Sequence, residues 1–332
     1  MNSTLVKGVL LIAVIFITIV LLKPDVLPTS PQRTPVKIAL STTPLSAPII
    51  IAQQLDFFNE LDVYVELQPI RGGHLCFEML INDEVDLATS SESVVMFNSF
   101  KRSDFSIITS FVESDNDIKL LSLSTSQLTS AKQLSQKRIG IVKSSASEFF
   151  LHAYLIMTGN ANTPFTPIYM SPQDLPSALL AGDVDAISIW EPYGYRLHKT
   201  HQDQISTLNT KGSYNLSFNL IAKKQHRLSN QQMKNILLAL QKASQYIATK
   251  PEEAKEVISQ YLNISQQQLD WGWNDYIFRL SLNSALISNL QTQARWAKAA
   301  NLVNDKPLPD YRAFIDDRYL NQVLLTSSAV KN

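Results

Sequence analysis

From Val36 onward the chain alternates between two apolar rhythms. VKIALS (Val36–Ser41) is a short apolar run, read as a strand that ends in the polar loop STTPLSAP. IIIAQQLDFFNEL follows, with Ile51, Leu55 and Phe58 on one helical stripe. VYVELQPI (Val63–Ile70) alternates with period two and predicts a strand, RGGHLCFEMLI predicts a helix after two glycines, and VDLAT predicts a buried strand. The succession starts again at KRIGIVKSS (Lys137–Ser145), with a helix over Glu148–Thr158, a strand at PIYMS, a helix over Leu175–Ala181 and a strand at VDAISI. Strands and helices at this spacing imply an α/β fold with mostly parallel sheets.

One phrase occurs twice. LINDEVDLATSSES runs from Leu80 to Ser93 and LLAGDVDAISIWEP from Leu179 to Pro192. Aligned without a gap they share a leucine, Val-Asp (Val85-Asp86, Val184-Asp185), an apolar run and a glutamate (Glu92, Glu191). Each copy predicts a short helix, a turn at Asn82 or Gly182, and a buried strand that delivers polar residues at its carboxyl end. Ligands in open α/β sheets bind outside such ends. Two copies therefore imply two lobes with a cleft between them.

Ahead of this lies a different pattern. Gly8–Leu22 (GVLLIAVIFITIVLL) is continuously apolar between Lys7 and Lys23, slightly short of the ~20 residues that cross a bilayer comfortably. A cleaved signal peptide has a similar core, but prolines crowd every cleavage site in KPDVLPTSP. The reading is an uncleaved anchor over residues 1–23, with a signal peptide as the alternative. A Pro/Ser/Thr linker over 24–35 follows, and the globular part lies outside the cytoplasm.

Composition narrows the function. With 332 residues and 45% apolar content the chain can bury the cores of two units. Its 29 basic and 29 acidic residues balance, so no nucleic-acid partner is expected. Cys76 is the single cysteine, which excludes an intramolecular disulfide and argues against a thiolate zinc site; His74 beside it has no further cysteine to join. Neither a metal nor a cofactor is expected. G-x-S-x-G, H-E-x-x-H and P-loop motifs are absent, so the chain is read as a non-enzyme.

Four segments in order carry a family resemblance: APIIIAQQLDFFNELDVYVEL, LINDEVDLATSS, LSQKRIGIVKSSASEFFLHAYL and ALLAGDVDAISIWEP. Together they resemble the solute-binding proteins of ABC importers for nitrate, sulfonates, taurine and thiamine precursors, over Val36 to Leu320. The resemblance implies a type II periplasmic-binding fold with lobe 1 at 36–122 plus 222–325 and lobe 2 at 123–221, crossing near Leu121–Thr125 and Phe218–Ala222. It implies an inner-membrane-anchored, periplasmic or exterior protein that delivers a small molecule to an ABC permease and ATPase. A tethered sensor with a membrane signalling partner is the alternative, and an enzyme like those that make the thiamine pyrimidine a remoter one. Asp56 and Asn82-Asp83 depart from the family's glycines, and Ser135-Gln136 from its Lys-Gly turn.

The expected ligand contacts are Ser41, Thr42 and Thr43 after the first strand, Ser90, Ser91 and Glu92 at the first copy's end, Ser144 and Ser145 at a helix start, and Trp190 and Glu191 at the second copy's end. Ser145-x-x-Glu148 reads as a capping box. Arg71-Gly72-Gly73 reads equally as a tight turn or as an anion hold at a helix start, and Trp271, Trp273, Tyr276 and Phe278 as core packing. Glu92, Glu148 and Glu191 near one rim would repel an inorganic anion. The ligand is thus expected to carry an amine, a pyrimidine or another cationic or donor-rich group rather than to be a simple inorganic anion, and a sulfonate-bearing organic molecule stays open.

Overall fold

The strands pair into two sheets, each with helices on its faces. The computed structural model describes residues 34–303 and 306–329, and from Pro35 on the described residues form one compact unit. The expected anchor at 1–23 and most of the linker lie outside them. No helix among the described residues is long and apolar enough to cross a membrane.

The first sheet contains β1 (Val36–Ser41), β2 (Val65–Ile70), β3 (Leu87–Ser91), β4 (Phe105–Ser114), β10 (Leu216–Lys223) and β11 (Tyr276–Ser281), in the order β11-β4-β10-β3-β1-β2. The second contains β5 (Ile118–Leu123), β6 (Arg138–Ile141), β7 (Thr166–Tyr169), β8 (Ala186–Trp190) and β9 (Ile205–Thr207), in the order β7-β6-β8-β5-β9. Both are mixed rather than mostly parallel. β1 pairs in parallel with β2 and β3, and β6 with β7 and β8, as helix crossovers require. β4, β5, β9 and β10 adjoin the passages between sheets, and every pair they form is antiparallel.

The chain changes sheet between Ser114 and Ile118 and again between Thr207 and Leu216. The first passage falls earlier than Leu121–Thr125, because those residues begin inside β5, paired along β8. Phe218–Ala222 likewise lies within the first sheet, between β3 and β4.

The helix expected from Ile49 to Leu61 is broken in two, α1 (Ala47–Gln54) and α2 (Phe57–Glu60). Asp56 between them is left-handed, φ 63°, so an aspartate does the work of the family's glycine. α3 (Gly73–Ile81) and α4 (Glu92–Ser99) flank β3; α5 (Ala146–Met157), α6 (Leu175–Ala181) and α7 (Tyr193–His201) belong to the second lobe. Gly140 in β6 lets α6 approach, since a Cβ there would come within 2.6 Å of Leu175 Cδ2. The remaining helices return to lobe 1: α8 (Asn230–Thr249), α9 (Pro251–Leu262), α10 (Gln266–Trp273), α11 (Ser284–Ala299) and α12 (Arg318–Ala329). α8 begins in a reciprocal capping box, with Gln232 N donating to Ser229 Oγ at 3.1 Å and Ser229 N to Gln232 Oε1 at 2.9 Å.

Candidate functional site

The doubled phrase folds twice into the same local structure. Asp83 and Gly182 are left-handed, φ 62° and 75°, and close their helices through Asp83 N to Leu80 O (3.2 Å) and Gly182 N to Leu179 O (3.1 Å). The first copy's turn was expected at Asn82; the left-handed residue is Asp83, which aligns with the glycine. Asp86 N then donates to Lys37 O at 2.9 Å while its Oδ2 accepts from Lys37 N at 2.8 Å, and Asp185 does the same with Arg138, through N at 2.8 Å and Oδ2 at 2.7 Å. These ties set the register of β3 on β1 and of β8 on β6. Both strands run out into a buried glutamate.

The two glutamates then diverge. Glu92 is fully buried (0% exposed) and faces protein alone: it accepts from Tyr214 Oη, from Ser217 N at 2.8 Å, from Ser217 Oγ at 3.2 Å and from Gln293 Nε2 at 3.0 Å. Burial outweighs the donors from Ser217 and Gln293 and pushes its carboxyl up to about 7. Its partners lie in the second interlobe passage, β10 and α11, so Glu92 roots that passage in lobe 1.

Glu191 (7% exposed) instead faces the other lobe. Its Oε2 accepts from Tyr195 N at 2.9 Å, and its Oε1 from Trp271 Nε1 at 2.8 Å, on α10 of lobe 1. Gly194 keeps the approach open, since a Cβ there would sit 2.8 Å from Oε1. Asp117 pairs across the strands with Glu191, accepting its amide at 3.0 Å through the main-chain oxygen and Tyr276 Oη at 3.1 Å through Oδ1. Burial, then the neighbouring Glu191, pushes Asp117 up to about 7, and burial raises Glu191 against its two donors. Asp275 is half-buried, and against that burial Lys211 and Asn116 hold it below the usual carboxylate range.

A small pocket opens between the lobes at this point, with about 10 Å³ of free space, lined by Pro44, Glu191, Pro192, Tyr195, Gln268, Trp271, Gly272 and Tyr276. Carboxylate and aromatic walls suit a hydrogen-bond donor or a cation better than an anion. Trp271 therefore differs from the expected core role, being 43% exposed and bonded across the lobes, whereas Tyr276 packs against the core as expected and also bonds to the first passage. Trp273 and Phe278 do pack together, with ring centroids 5.1 Å apart.

Among the expected contact residues, Glu191 alone lines this pocket. Ser41 is buried, its amide donating to Thr89 Oγ1 at 2.8 Å and its carbonyl accepting from Ser46 Oγ at 2.7 Å. Thr42 is exposed and its hydroxyl donates to Ile70 O at 3.3 Å; Thr43 Oγ1 accepts from Leu45 N at 3.4 Å and starts the turn that carries Pro44 to the pocket. Ser90 Oγ donates to Gly73 O at 2.9 Å, and Ser91 is half-buried. Trp190 pairs with Ile118, one residue out of phase with Asp117 and Glu191, so it faces the opposite side of the sheet and packs against the core.

The capping box at Ser145 is shifted. Ser145 Oγ accepts from Ser147 N at 3.2 Å and donates to Val142 O at 2.6 Å, while Glu148 reaches the amide of Ser144 at 2.7 Å. Left-handed Ser144, φ 53°, turns that amide toward the carboxylate. Glu148 also accepts from Tyr169 Oη at 2.6 Å. Among the described residues no group of three or more His, Cys, Asp or Glu is placed to hold a metal ion. Cys76 is buried, and burial pushes its thiol up to about 12.

Residues 43–254 match the NMT1/THI5-like family, and the chain belongs to it. No curated protein sequence matches the chain. Solved structures share its fold. The periplasmic aliphatic sulphonate-binding protein SsuA from Escherichia coli has a TM-score of 0.72 at 16% identity, covering 85% of this chain and 91% of that one. The alkanesulfonate-binding SsuA from Xanthomonas axonopodis pv. citri, bound to MOPS, has 0.70 at 19%, covering 82% and 96%. The ligand-binding component of an ABC-type import system from Staphylococcus aureus, with zinc bound, has 0.70 at 15%, covering 88% and 99%.

Proposed function

We propose that this chain is a membrane-tethered, extracytoplasmic solute-binding protein that closes on a small organic molecule between its lobes and delivers it to an ABC permease and ATPase. The observation that carries the reading is the interlobe pocket, where the loop after β1, the end of β8 and α10 converge on the Glu191 carboxylate. Family membership and the periplasmic-binding fold support it. An amine or aminopyrimidine donates to Glu191. The rest of the solute lies along the polar rim of Thr42, Thr43, Ser91, Ser144 and Ser145, all exposed or half-buried at or just beyond the ends of strands.

A ligand touching both lobes binds the closed arrangement better than the open one and so shifts the population toward it. Small-angle scattering of the full-length chain with a panel of amines, aminopyrimidines and alkanesulfonates is expected to show compaction with a donor-bearing member and none with a simple sulfonate. A profile unchanged by every member contradicts the reading.

The apolar run Gly8–Leu22 supports the tether. Cell fractionation is expected to leave the chain with the membranes, its globular part open to protease from outside. A mature chain beginning near Ser30 in the soluble fraction rules the tether out.

A further inference from the structure

The turn between α10 and β11 touches every segment that joins the lobes. Asp275 Oδ2 accepts from Asn116 Nδ2 at 2.7 Å, and Oδ1 from Lys211 Nζ at 2.7 Å. Asn116 lies in the first interlobe passage and Lys211 in the second, so one carboxylate of lobe 1 holds a residue of each. The passages also meet directly, through Gly212 N to Asp115 O at 3.2 Å. The neighbouring Tyr276 holds Asp117, and Trp271 holds Glu191. The turn closes on its own backbone, Asp275 N donating to Gly272 O at 3.0 Å, so the carboxylate is not what shapes it.

We propose that the turn from Trp271 to Tyr276 is a hinge clasp, in which Asp275 fixes the two interlobe passages against each other and Trp271 links them to the pocket wall at Glu191. A hinge works by letting a few connecting residues change their backbone angles. A shared carboxylate makes the two connections move together. A donor group that takes Glu191 from Trp271 then releases one arm of the clasp; this last clause rests on the pocket being the solute site, whereas the clasp itself does not.

The clasp is testable without a solute. Spin labels on cysteines introduced at Glu66 in lobe 1 and Asn162 in lobe 2, both exposed, report the interlobe distance in the full-length chain by double electron–electron resonance. Cys76 is buried and does not compete for the label. Asp275→Ala is expected to broaden the distance distribution at least twofold, with Asn116→Ala and Lys211→Met each broadening it part of the way. Lys211 is exposed, so Lys211→Met keeps the test open even if Asp275→Ala does not fold. Parent-like widths in Lys211→Met and in every folded Asp275 variant overturn the clasp, whatever the unfolding midpoints. Broadening in these variants, with no response of the parent to any solute, upholds the clasp and removes the pocket reading.

Discussion

A Glu191→Gln chain is expected to bind its solute at least tenfold more weakly than the parent. Both carboxylate oxygens accept one protein donor, from Tyr195 N and Trp271 Nε1, and the solute's donor replaces Trp271 at Oε1. Glutamine keeps the size but turns an amide NH2 toward one of those donors and removes the charge. A buried donor on the solute is then left without its acceptor, which costs about 1–3 kcal/mol, and about 1.4 kcal/mol is one tenfold step. Titration calorimetry with the solute that co-purifies checks this. Equal affinity for parent and variant would falsify the assignment of Glu191.

The second large effect concerns stability. Glu92→Ala is expected to lower the unfolding free energy by about 3 kcal/mol at pH 5, because it opens a cavity and strands the buried amide of Ser217. The loss should shrink as pH rises. The native state holds the Glu92 proton up to about pH 7, against 4.5 for the free group, so between those values the folded chain binds the proton more tightly than the unfolded one. Stability from this group is full at the acid end and falls as pH climbs through that window, by about 3 kcal/mol for a shift of about this size. The alanine variant lacks that slope, and by pH 8 the two proteins should differ by only about 1 kcal/mol. Urea unfolding at both pH values decides it, and a constant gap contradicts the burial argument.

The parts of the fold that were legible in the sequence are those where one strand's own pattern suffices. VKIALS corresponds to β1 residue for residue, Leu175–Ala181 to α6, and the doubled phrase to two turns with matching hydrogen bonds and aspartate ties. Sheet direction was less legible. β4 and β10 are apolar runs whose partners are set by passages that a local pattern does not mark. The site divides in the same way. Glu191 was visible because the repeat ends on it, but the same argument gave Glu92 equal standing, and which face a terminal glutamate meets depends on α7, α10 and the second passage. Trp271 looked like core because it belongs to an aromatic cluster with Trp273, Tyr276 and Phe278, which do pack against the core. Only its tertiary contact with Glu191 distinguishes it, and the glycine at 272, where a Cβ would lie 3.1 Å from Tyr276 Oη, is the faint local sign of close approach in this turn.

Native mass spectrometry of the gently purified full-length chain tests the central claim most directly, because a bound molecule reveals itself by its mass whatever its identity. The account predicts one small organic molecule bound per chain, carrying an amine or similar donor, and lost or much depleted in Glu191→Gln. An adduct retained equally by the variant, or a parent chain that stays bare after incubation with a small-molecule extract, would contradict a solute-binding cleft built around Glu191.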